Sequence, residues 1–122
     1  MPNEYYRKKL KETEIFYFKI GNITCRALNN KIVYFDGNGF RHLVRKGKKQ
    51  REINDQLRRF NLLAYVVTVI KNGNEISGKR IVTIKNSYAE FFTIGLSINN
   101  KLIKVILRRI NNDKLHFFSI MD

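Results

Sequence analysis

Cysteine, proline, tryptophan and histidine are scarce or missing in this chain, and each shortage closes off a class of structure or chemistry. The single cysteine, Cys25, permits no intramolecular disulfide and no zinc site built of thiolates, which fits a reducing cytoplasm. The one proline is Pro2, and no stretch is rich in proline or serine or repeats itself, so a chain ordered almost from end to end is expected. Uncharged apolar runs fall well short of the ~20 residues that cross a bilayer. Charges spread through the first residues, as in Glu4-Tyr5-Tyr6-Arg7-Lys8-Lys9, do not describe a secretory signal. The expectation is a cytoplasmic protein with no membrane association.

Two histidines, His42 and His116, lie far apart, and the acids Asp36, Glu52, Asp55, Glu75, Glu90 and Asp113 do not group. That spacing matches no metal-ligand pattern, so neither a metal nor another cofactor is expected. Nucleotide-binding glycine loops are missing too, and Gly37-Asn38-Gly39 reads as a turn. No Gly-x-Ser-x-Gly elbow activates a serine.

Positive charge is what the chain has in excess. Its 24 lysines and arginines against 10 acids give a formal net charge of +14 in 122 residues, more than solubility requires. Self-repulsion of that size opposes folding, and the expected reason is a polyanionic partner among RNA, DNA, an acidic protein or an anionic membrane, with nucleic acid first. Hydrophobic content of 43% is enough for one domain, 1–122, with its own core.

Hydrophobic spacing divides the chain into three parts. Residues 1–13 form a basic segment, a short helix or a mobile arm, in which Tyr6 and Leu10 share one side. From Glu14 the apolar residues alternate, predicting a strand to Ile20 that breaks at Gly21-Asn22. Strands over Ile23–Leu28 and Lys31–Phe35 follow, joined at Asn29-Asn30, and Asp36 to Gly39 closes the unit. Ile53, Leu57, Phe60, Ala64 and Val67 then lie on one helical stripe. The β-branched run Tyr65–Ile70 suits a buried strand as well, but the reading is helix, with a break allowed near Asn61 and a stop at Asn72-Gly73. Strands over Arg80–Lys85, Ala89–Ile98, Lys101–Ile110 and Leu115–Ile120 complete an antiparallel meander with turns at Asn99-Asn100 and Asn111-Asn112-Asp113. The fold class is α+β: N-terminal strands and one to three helices packed on a C-terminal antiparallel β-meander.

The densest chemistry lies between Phe40 and Arg51, where His42 stands among Arg41, Arg45, Lys46, Lys48, Lys49 and Arg51 with no acid between. Those cations, with Lys85, are candidates for holding a phosphate backbone. His42 is the leading acid-base group, because surrounding cations favour its neutral imidazole. Its competing role is packing or capping at a solvated helix end. Without a metal, cleavage of a phosphodiester needs a substrate that carries its own nucleophile, and RNA does so in its 2′-hydroxyl. A base, an acid and cations for the developing charge then suffice. Arg108 and Arg109 fall on opposite faces of their strand, so one must face outward; Arg80, Lys85 and Lys104 are comparable. His116 and Ser119 also lie on opposite faces of a regular strand, and His116, among apolar neighbours, ranks below His42. For stacking on bases, Tyr5, Tyr6 and Tyr88 are better placed than the phenylalanines, most of which belong to the core.

Three stretches carry a family resemblance. Asn38-Gly39-Phe40-Arg41-His42-Leu43 follows a strand pair; Arg58-Arg59-Phe60-Asn61-Leu62-Leu63 lies in the helix that closes at Asn72-Gly73; and Lys114-Leu115-His116-Phe117-Phe118-Ser119-Ile120 ends the meander. In this order they resemble the barnase, EndoU, colicin and RelE-like group of small ribonucleases, in its phage and polymorphic-toxin branches. That resemblance implies a metal-independent RNA endonuclease that leaves a 2′,3′-cyclic phosphate. It implies His42 as the acid-base residue, Ser119 as a hydroxyl on the phosphate, and Arg80 or Arg108 as the transition-state cation. Its implied protein partner is an acidic antitoxin or immunity protein. The alternatives are a non-catalytic basic nucleic-acid-binding protein of a phage-like element and, third, a basic adaptor using its sheet edge.

Overall fold

A computed structural model of the chain describes residues 4–122, which leaves the first three residues of the basic N-terminal segment outside the description. Helix α1 runs Glu4–Ile20, so the strand expected from Glu14 is part of a helix. Alternation of Phe16 and Phe18 with Ile15 and Tyr17 hides a longer rhythm: Tyr6, Leu10, Thr13, Tyr17 and Ile20 recur every three or four residues. That stripe meets the core, with Thr13 and Tyr17 buried, and it leaves Ile15, Phe16 and Phe18 exposed.

Strand β1 (Asn22–Cys25) pairs antiparallel with β2 (Lys31–Tyr34). The expected strand over Ile23–Leu28 ends three residues early in a 3-10 turn, Arg26–Leu28. Asp36 does not close the unit; it starts the next element. Its Oδ1 accepts from the Gly39 N–H at 3.1 Å and caps helix α2 (Gly37–Val44), which carries His42. A short hairpin of β3 (Arg45–Lys46) and β4 (Lys49–Gln50), turned at Gly47, holds the lysines of the basic run. Helices α3 (Ile53–Leu62) and α4 (Val66–Asn72) are one apolar stripe broken by a 3-10 turn at Leu63–Tyr65, close to the break allowed near Asn61.

After the short β5 (Asn74–Glu75) come β6 (Arg80–Ile84), β7 (Ser87–Ile98), β8 (Lys101–Ile110) and β9 (Leu115–Met121), the antiparallel meander of an α+β fold. Asn29-Asn30, Asn99-Asn100 and Asn111-Asn112 all hold positive φ, the conformation that suits tight hairpins and that asparagine tolerates. A parallel pairing of β2 with β9, Tyr34 opposite His116, joins the N-terminal hairpin to the meander. The result is one mixed sheet in the order β1-β2-β9-β8-β7-β5, with β6 also on β7. Among the described residues no helix is long and apolar enough to cross a membrane.

One sheet face carries the core. Phe92, Ile94, Val105, Leu107, Phe117 and Ile120 meet Leu43, Phe60, Leu63, Val66 and Ile70 from the helices. Burial of such side chains contributes about 1.5–3 kcal/mol each. Tyr17 is wholly buried at one end, where its hydroxyl donates to the Asp36 carbonyl at 2.7 Å and its ring meets Phe35, Phe40 and Phe117. Gly39 lets α2 approach this cluster. A Cβ there would lie 2.3 Å from Tyr17 Oη and 2.6 Å from the Phe117 carbonyl oxygen, and neither atom can withdraw freely. Gly39→Ala should therefore destabilise the protein by about 1–3 kcal/mol, read as a lower urea midpoint. Gly37→Ala, where a Cβ meets nothing, should cost less than half as much.

Candidate nucleic-acid and acid-base site

The sheet face opposite the core is only partly covered, and cross-strand register lays out its side chains. Arg80 pairs with Phe91, Phe91 with Arg108, Arg108 with His116, and His116 with Tyr34, forming one row across β6, β7, β8, β9 and β2. Directly opposed residues in antiparallel strands have Cβ atoms about 4.5–5.5 Å apart, so Arg80, Phe91, Arg108 and His116 are true neighbours. The outward arginine of β8 is therefore Arg108. Arg109 faces the other way, its Nε donating to Glu90 Oε1 at 2.8 Å.

A β-bulge breaks the β8–β9 register next to this row. Ile106 faces Ser119 and Leu107 faces Phe117, so Phe118 is the extra residue. Its ring collects the site. His42 from α2 packs on it with ring centroids 4.2 Å apart, Arg108 Cζ lies 4.9 Å from its centroid, and Phe91 meets it edge-on at 5.2 Å. Arg80 repeats the motif over Phe91 at 4.7 Å. Sequence alternation put most phenylalanines in the core and missed these two. The available signal was His116-x-Phe118, which period two assigns to the face opposite Leu115 and Phe117.

His116 lines a cleft of about 570 Å³ with Arg108, Lys114, Asn38 and Asp36. Asp36 Oδ2 lies 2.9 Å from His116 Nδ1, off the line of a good hydrogen bond, leaving Nε2 as the ring's other proton site. The Asp36 carboxylate thus both caps α2 and faces His116.

Ser119 is closed off. It is 3% exposed, and its Oγ accepts from Arg59 Nη1 at 3.1 Å, while the same nitrogen donates to the Ile120 carbonyl at 2.8 Å. The bulge brings Ser119 into register with Ile106, on the same sheet face as Arg108 and His116, so the opposite faces expected of a regular strand do not hold; the hydroxyl is nevertheless buried against Arg59 and is closed to the phosphate contact that the resemblance implies. Arg51 is likewise committed: with a side chain 7% exposed, it donates through Nε to the His42 carbonyl at 2.9 Å and ion-pairs with Asp55 at 3.2 Å. It positions His42 instead of offering itself to a backbone phosphate. Asp55 also receives Arg58 at 2.8 Å and Arg59 at 3.3 Å. Burial raises the Asp55 carboxyl pKa, but the three arginines outweigh it and hold the group below the usual carboxylate range.

The remaining cations are surface groups. Arg41, Lys46, Lys48, Lys49 and Lys85 are exposed, and Arg45, half-buried, donates to the Lys48 carbonyl. Arg41 donates to Asn38 Oδ1 at 2.7 Å. Of the tyrosines expected to stack, Tyr6 is engaged with Gln56 and Phe60 on the core side, Tyr5 is exposed on α1, and Tyr88, also exposed, falls by alternation on the face opposite Phe91. Among the described residues no three histidine, cysteine or acidic side chains gather as metal ligands do.

Burial, then the fields of Arg51, Arg59, Arg108 and Lys46, push the His42 pKa down to about 4. At neutral pH the imidazole is uncharged and can accept a proton. Compared with known proteins, the chain matches no family model, no curated protein and no solved structure.

The depressed pKa of His42 couples its titration to stability. Above about pH 6.5 the imidazole is neutral in both folded and unfolded chains. Between there and about 4 the unfolded chain takes up a proton that the folded one refuses, so stability falls as pH falls through this window. Discounted for partial exposure, the loss is about 2 kcal/mol. In urea titrations at pH 7.5 and 4.5, His42→Phe should lose about that much less stability than wild type. Equal losses in the two proteins would show that His42 carries no such coupling.

Proposed function

We propose that the protein is a metal-independent RNA endonuclease that cleaves by attack of the 2′-hydroxyl, leaving a 2′,3′-cyclic phosphate. One observation carries this reading: Arg108 stands between two histidines, stacked on the Phe118 ring that also bears His42 and paired in register with His116. Transesterification of RNA needs a proton acceptor, a proton donor and a cation at the phosphoryl oxygens. Neutral His42 takes the 2′-hydroxyl proton, His116 supplies a proton to the departing 5′-oxygen, and Arg108 steadies the pentacoordinate phosphorus. Arg80 and the exposed Lys46, Lys48, Lys49 and Lys85 hold flanking phosphates, and Ser119, buried beside them, anchors the Arg59 guanidinium. An acidic antitoxin or immunity protein covering the open face is the protein partner this reading calls for.

A second reading is a non-catalytic RNA-binding protein, and the low pKa of His42 favours it, since a base that weak is far from the neutral optimum for proton transfer. Charge and aromatic rings would then matter and the imidazole would not.

Labelled tRNA and total RNA incubated in excess chelator separate the two. Wild type should cut, leaving cyclic phosphate ends, and a 2′-deoxy nucleotide at the cleavage position should block the cut. His42→Ala, His116→Ala and Arg108→Ala should each slow cleavage about 10²-fold or more, while Lys48→Ala should change it only severalfold. Tight, salt-sensitive binding without cleavage by wild type would sink the nuclease and leave the binder.

A further inference from the structure

Beside the row of Arg80, Phe91 and Arg108 lies an apolar groove of about 200 Å³ that neither histidine lines. Val82, Ile84, Ala89 and Ile110 form its walls with Phe91, and Ile84 and Ile110 are 61% and 41% exposed. Large apolar side chains clustered in the open on a strongly cationic face call for an occupant that is both flat and anionic. Register shows how the groove is built. Val82 faces Ala89 and Ala89 faces Ile110, so a small residue between two larger ones leaves a hollow in the sheet surface.

We propose that this groove is a subsite for one unpaired nucleobase of a single-stranded RNA; this rests on the ribonuclease reading above and names the part of the substrate that the open face recognises. Two features commit it to a base. The guanidinium groups of Arg80 and Arg108 already lie over phenylalanine rings, and a guanidinium at such a surface can stack on a base. The hollow has room for a single flat ring system, and a base inside a duplex offers an edge where this groove needs a face. Arg108 lines both this groove and the cleft that holds His116, so a base seated here places its own or the adjoining phosphate at the guanidinium between the two histidines.

Fluorescence anisotropy in chelator tests the subsite independently of cleavage, because a 2′-O-methyl strand cannot attack its own phosphate. The probes are a 2′-O-methyl oligoadenylate, an abasic strand of equal length and a duplex of the same sequence. Wild type should bind the oligoadenylate about tenfold or more tightly than the abasic strand, and more tightly than the duplex. Ile84→Ala/Ile110→Ala, which alters two exposed residues of the groove, should lose that preference while keeping its affinity for the abasic strand and its salt dependence. Equal affinity of wild type for oligoadenylate and abasic strand overturns the subsite, even where RNA is cleaved. Preference for base-bearing strands that survives in the double variant overturns this location for it. Polyglutamate that displaces oligoadenylate from wild type and not from the double variant overturns it in favour of an acidic peptide. Base preference found in a wild type that cuts no RNA would instead sink the nuclease reading and leave the subsite on a binder.

Discussion

Three arginines converge on the Asp55 carboxylate, and two of them tie together the pieces that carry the open face. Arg51 holds the end of α2 through the His42 carbonyl, and Arg59 holds the end of β9 through Ser119 Oγ and the Ile120 carbonyl. Both guanidiniums are nearly out of water, which costs several kcal/mol per ion before any partner is counted. One shared carboxylate and a set of carbonyls offset that cost. Stripping Asp55 away would leave two buried cations repelling each other with no shared counter-charge. The arrangement is therefore poor as a source of stability and good as a means of fixing where α2 and β9 lie relative to α3. It also leaves a net positive charge beneath His42.

From that fixed placement the exposed chemistry follows. Pinning the end of β9 fixes the chain just beyond the bulge, and the bulge sets Phe118 against both His42 and Arg108. Arg–Phe stacks of this kind contribute about 0.5–2 kcal/mol each. Their larger effect is organisational, because a guanidinium held over a ring has lost part of its rotamer freedom before any anion arrives. On the proposed reading, the cation of the transition state is thus held in place by aromatic rings, with the ion pairs kept one layer deeper.

Much of the meander was legible in the sequence, since paired asparagines mark hairpins and the alternation of β7 and β8 is long enough to be unambiguous. Helix α1 was not, because four aromatic or branched residues in a row satisfy period two locally, and only the stripe from Tyr6 to Ile20 distinguishes a helix. Opposed faces for Arg108 and Arg109 followed from strand geometry alone. Ser119 could not be placed, because its surroundings are decided by Arg59, sixty residues away. Asp36 was read as part of a turn, and its cap of α2 and its approach to His116 depend on a parallel pairing of β2 with β9 that no local pattern announces.

The two causes of the low His42 pKa behave differently when an anion arrives. Burial against Phe118 and the α2 packing is a property of the fold and persists or deepens when a ligand excludes water. The fields of Arg51, Arg59, Arg108 and Lys46 are coulombic, and a phosphate lodged at Arg108 opposes them directly. An imidazole too weak to compete for a proton in the free protein therefore gains basicity when a phosphate is near, and it does so without any movement of the backbone. In the proposed ribonuclease, this makes the base strongest when substrate is present. On that reading, Arg108 and Lys46, which draw the polyanion in, also help to keep His42 unprotonated until it is there.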